Sequence, residues 1–95
     1  MGRDIRVESK QLVYRGSKSS DLIMAFDLFF SYFPEYDIGD GIYFSVNLSR
    51  NDMKRVLDFI KNNSKFYRNA DELLEKMNNI YIRMMSRDFV EVTIW

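Results

Sequence analysis

The sequence predicts an α+β domain in the order β(β)-α-β-α-α-β, one three- or four-stranded sheet packed by three helices. Three observations carry this prediction. Ile42 to Leu48 and Phe89 to Trp95 alternate with the period of a strand. Met53, Val56, Leu57 and Ile60 recur with the period of a helix. The four glycines and the single proline all fall between such stretches. At 95 residues the chain has the length of one domain, spanning 1–95, with 29 Leu, Ile, Val and Phe to build its core.

Residues 3–15 read as extended, since Ile5 and Val7 alternate with Arg6 and Glu8 before Leu12-Val13-Tyr14. A hairpin turning at Ser9-Lys10 and one long bent strand both fit. Ser19 or Ser20 caps a first helix from Asp21 to Phe33, which Pro34 stops by forcing the preceding residue out of helical backbone. That helix is apolar almost all round. Asp27 and Ser31, four residues apart, are its narrow polar stripe. Such a helix needs cover on several sides, from its own fold or from a second copy docking on residues 22–33. Asp27 itself reads as exposed on that stripe rather than as a buried acid.

Glu35 to Gly41 is an acidic turn, and the strand Ile42–Leu48 follows it, with Ile42, Phe44, Val46 and Leu48 on one face. Ser49 and Asp52 have the form of a capping box, which starts a second helix ending at Asn62-Asn63-Ser64. Asn69 with Glu72 repeats that pattern and predicts a third helix to about Ser86, with Leu73, Leu74, Met77, Ile80, Tyr81 and Met84 as its stripe. In the last strand Val90, Val92 and Ile94 share one face, the core face.

Composition narrows the chemistry. The chain has no Cys and no His. Disulfides, thiolate nucleophiles, zinc-thiolate sites and histidine-dependent triads are therefore excluded. Carboxylates with Mg²⁺ remain as a third-ranked enzymatic reading. Asp37-Ile38-Gly39-Asp40-Gly41 departs from a calcium loop, because Gly39 stands where a ligand is needed. The sequence thus points to a non-catalytic protein with no catalytic residue, metal or cofactor. The start has no apolar run of a signal peptide, and Leu22 to Phe33 is too short to span a bilayer. A cytoplasmic protein with no membrane partner is expected.

The net charge of zero conceals blocks: residues 1–20, 21–48, 49–69 and 70–95 carry +3, −5, +4 and −2. The acidic block nominates Glu35, Tyr36, Asp37 and Asp40 as a surface for a protein partner, because carboxylates steer encounter with a basic site and Tyr is a frequent anchor. An inhibitor, immunity-type or phage accessory protein is the class this suggests. The basic segment 50–68 nominates the alternative, a nucleic-acid-binding regulator using Lys54, Arg55, Lys61, Lys65, Tyr67 and Arg68. The bland rivals are a solvated turn and a solvated helix face. Whether the two blocks form separate surfaces depends on the fold.

Overall fold

The structure, a computed structural model, describes residues 3–17, 20–36 and 44–95. The residues that read as one long strand or a hairpin form a hairpin, β1 (Ile5–Glu8) and β2 (Val13–Gly16). Ser9 closes it twice. Its N–H donates to the Leu12 carbonyl at 2.8 Å, and its hydroxyl accepts the Leu12 N–H at 3.3 Å.

Helix α1 (Asp21–Tyr32) is capped by Ser20, whose hydroxyl accepts the Ile23 N–H at 3.3 Å, and ends at Tyr32, with non-helical Phe33 as its C-cap before Pro34. A 3-10 turn, Pro34–Tyr36, follows. Strand β3 (Phe44–Ser49) runs directly into helix α2 (Arg50–Asn62). The expected start of this strand, Ile42-Tyr43, lies outside the described residues. Both halves of the Ser49–Asp52 capping box are present, at 3.0 and 3.2 Å.

A second 3-10 turn, Ser64–Phe66, leads to helix α3 (Ala70–Tyr81). Two expectations for α3 are corrected. It ends at Tyr81, five residues before Ser86, because the Arg83 and Met84 N–H groups turn to the carbonyls three residues back, at 3.2 and 3.1 Å, and the Asp88 carboxylate takes the Met85 N–H at 2.8 Å. The Asn69 side chain makes no cap bond. Instead the Asn69 N–H donates to the Asp21 carboxylate of α1 at 3.2 Å. Strand β4 (Phe89–Ile94) completes the chain's regular structure.

The four strands form one antiparallel sheet in the order β2-β1-β4-β3. The first and last strands lie side by side at its centre. Their ladder extends to Asp4 and Trp95, which exchange both backbone bonds at 2.7 and 2.9 Å. Ile5, Val7, Val90, Val92, Ile94 and Leu48 are fully buried on the face the helices cover. Against them pack Phe26 and Phe29 of α1, Met53, Val56 and Ile60 of α2, and Met77 and Ile80 of α3. Each such side chain contributes roughly 1.5–3 kcal/mol by leaving water.

One glycine is required by space. A Cβ on Gly16 would stand 2.3 Å from the Ser20 hydroxyl oxygen and 3.2 Å from Ile5. The end of β2 therefore passes directly under the cap of α1.

Candidate functional site

Pro34 sets the backbone of the 3-10 turn that carries Glu35 and Tyr36 onto α2. The Tyr36 ring packs against Phe29 at 5.4 Å between centroids. Its hydroxyl donates to Asp52 Oδ1 and accepts from Arg55 Nη1 at 3.1 Å. The other Arg55 nitrogen donates to Glu35 Oε1 at 2.8 Å, and the guanidinium lies 4.5 Å over the Phe33 ring.

The electrostatics follow from these contacts. Burial, the bond to Asp52 and that carboxylate's charge push the Tyr36 hydroxyl up to about 12. Burial pushes Asp52 upward too, but hydrogen bonds from Tyr36 and from the Ser49 backbone and hydroxyl outweigh it, leaving Asp52 below the usual carboxylate range. Glu35 is lowered by a backbone hydrogen bond and by Arg55. This cluster holds its charges in fixed pairs and leaves neither an acid nor a base poised near neutral pH.

Two of the acidic-block candidates, Glu35 and Tyr36, thus meet a basic-block candidate, Arg55, in one network. Asp37 and Asp40 lie outside the described residues. Among the other basic candidates, Lys54 pairs with Asp58 at 3.6 Å on the surface of α2. Lys61 and Arg68 are exposed, and Lys65 lies 5.4 Å over the Phe66 ring. Tyr67 needs correction as a stacking ring. It is only 6% exposed and belongs to the core. Its hydroxyl is buried without a partner among the described residues, and burial pushes its pKa up. The exposed ring of this pair is Phe66.

An apolar concavity lies on the helix over residues 22–33, which the sequence nominates as a surface for a second copy. Met24, Leu28 and Tyr32, four residues apart on α1, form one side of a groove of about 620 Å³, and Phe66 and Tyr67 form the other. Met24 is 48%, Tyr32 64% and Phe66 55% exposed. The other apolar side chains of α1 are covered by its own fold, with Leu22, Ile23, Ala25, Phe26, Phe29 and Phe30 all buried. Asp27, at the groove's rim, is held by both Arg3 terminal nitrogens at 2.6 and 3.1 Å and lies on the exposed stripe. The signal for this groove was present in the all-round apolarity of residues 22–33. Which positions stay open depends on where the sheet and α2 land.

Among the described residues no group of three or more His, Cys, Asp or Glu is placed to hold a metal ion. No helix among them is long and apolar enough to cross a membrane. Comparison with family models, curated proteins and solved structures finds no match for this chain.

Proposed function

We propose that this chain is a non-catalytic protein-binding module of the inhibitor or accessory kind, and that its docking face is the groove between α1 and the Ser64–Tyr67 connection. The observation that carries this reading is the exposure of Met24, Tyr32 and Phe66 around one concave apolar surface. Large apolar side chains gathered in a groove are costly to leave in water, and such patches mark interaction sites. The occupant that fits is an amphipathic helix of a partner protein. The groove runs along α1 past three side chains spaced one turn apart, which matches the ridge of a docked helix. The Glu35–Arg55 network supports this choice over the acidic loop, because those two side chains already satisfy each other.

The test is affinity capture from the native host with wild-type chain and with a Met24→Asp, Tyr32→Asp double variant, both checked for fold by circular dichroism. A partner retained by the wild type and lost by the variant supports the groove. An unchanged partner list sinks it.

A further inference from the structure

We infer that β3 is a self-pairing edge, and that two copies of this chain join β3 to β3 antiparallel into one continuous eight-stranded sheet. The inference is independent of the groove.

The hydrogen-bond parity of the sheet shows what the edge offers. Asp4 and Trp95 exchange both of their backbone bonds. Counting along the β1–β4 register, Arg6–Thr93 and Glu8–Glu91 are pairs of the same kind. Val90, Val92 and Ile94 of β4 therefore turn their backbone groups to the other side, toward Leu48, Val46 and Phe44 of β3. Ser45, Asn47 and Ser49 are left with N–H and C=O groups directed away from the sheet. The Ser49 N–H bears this out, since it donates to the Asp52 side chain at 3.0 Å. Ser45 and Asn47, both exposed, have no backbone partner on that side among the described residues.

An open edge of this kind is normally blunted by charge, proline, a bulge or shortness. The other edge, β2, is four residues long and carries Arg15. β3 is six residues long, reads FSVNLS and holds none of these devices. The occupant is argued from symmetry and charge. A strand paired with its own copy sets the same residues against one another, so any charge near its centre meets its like. β3 carries no charge, and no like charges would be opposed.

The capping box selects the register. If Asn47 faced Asn47, the second bonding pair would be Ser45 with Ser49, whose N–H is already taken by Asp52. If Val46 faces Val46, Ser45 of each copy bonds Asn47 of the other, and all of these Ser45–Asn47 bonds use free groups. This register also sets half-buried Val46 against its mate on the core side, and leaves polar residues opposite polar ones on the other side.

The chain has no cysteine, which makes the test clean. Sedimentation of the full chain over a wide concentration range is expected to show a monomer–dimer equilibrium. Asn47→Pro, which removes an outward N–H, is expected to abolish the dimer with the monomer's circular dichroism kept. Mixed Ser45→Cys and Asn47→Cys chains are expected to form a disulfide-linked dimer, since Cα atoms of a bonded pair stand about 5.5 Å apart. Asn47→Cys alone should form none. The inference is overturned by a monomer at every concentration, or by a dimer that survives Asn47→Pro. It is equally overturned if Asn47→Cys links to itself as readily as the mixture does, or if Leu28→Lys on α1 dissolves the dimer instead. Should Asn47→Pro fail to fold, the cysteine mixture decides.

Discussion

Arg55 donates to Glu35 across 2.8 Å, and this one ion pair joins the most acidic stretch of the chain to the most basic. Both partners are exposed, so the pair itself adds little to stability. Its effect is on surface character. The blocks that sequence order separates are folded against each other at this point, and Tyr36 and Asp52 continue the contact inward.

Tyr36→Phe removes a half-buried hydroxyl that serves Asp52 and Arg55 together. A loss of about 1–3 kcal/mol is expected in urea unfolding at pH 7, as for a hydrogen bond to a charged group. The pH profile has two arms. Tyr36 is raised from 10.0 to about 12 on folding, so its contribution is complete below pH 10 and is lost as pH climbs toward 12. Asp52 is lowered from 3.8, so its contribution is present above that value and is lost as pH falls through the lower folded value. Tyr36→Phe should shrink the alkaline arm, leaving the share of raised Tyr67, and Asp52→Asn the acid one, leaving the shares of lowered Glu35 and Asp88.

Two apparent caps should behave differently. Ser49→Ala removes the hydroxyl that accepts the Asp52 N–H, leaving the Ser49 N–H on the Asp52 carboxylate, and is expected to cost about 1–2 kcal/mol. Asn69→Ala removes a side chain that makes no cap bond and should cost under about 0.5 kcal/mol. Thermal melts of the two variants read the contrast.

Gly16→Ala places a methyl group against the cap of α1. Ser20 must shift, and its bond to the Ile23 N–H weakens. A loss of about 2 kcal/mol is expected, combining strain with a lost cap. Chemical unfolding measures it. A stability equal to wild type would contradict the close approach.

Nucleic-acid binding through residues 50–68 is expected to be absent. Arg55 is tied to Glu35, Lys54 to Asp58, and Tyr67 is buried. Fluorescence anisotropy with single-stranded DNA and RNA at low and moderate salt should show no salt-dependent affinity, the mark of phosphate contacts. A steep salt slope that disappears in a Lys61, Lys65 and Arg68 triple alanine variant would restore the nucleic-acid reading.

Local signals in the sequence were readable where the physics is local. Period-two alternation located β4, Pro34 ended α1, and the Ser49–Asp52 spacing placed the start of α2. The misreadings arise where a distant residue decides. Asn69 has the identity of a cap, but Asp21 of another helix takes its N–H. The apolar stripe of α3 runs on to buried Met84, yet the helix ends at Tyr81, where the Arg83 and Met84 N–H groups turn to carbonyls three residues back and distant Asp88 takes the Met85 N–H. Phe66 and Tyr67 are adjacent at a 3-10 turn, where no period tells which faces inward. Of the candidate site, Glu35 and Tyr36 were visible as residues, but their engagement with Arg55 depends on a tertiary contact.

The central place of β1 and β4 sets the order in which this molecule can assemble. Residues 5–8 must wait for residues 89–94 before the middle of the sheet exists. Contacts so distant along the chain are made late, because a large loop must close before they give any return. The helices can form early, but they have no completed surface to pack on. During synthesis on the ribosome, therefore, the β4 side of β1 stays open until residues 91–94 have emerged.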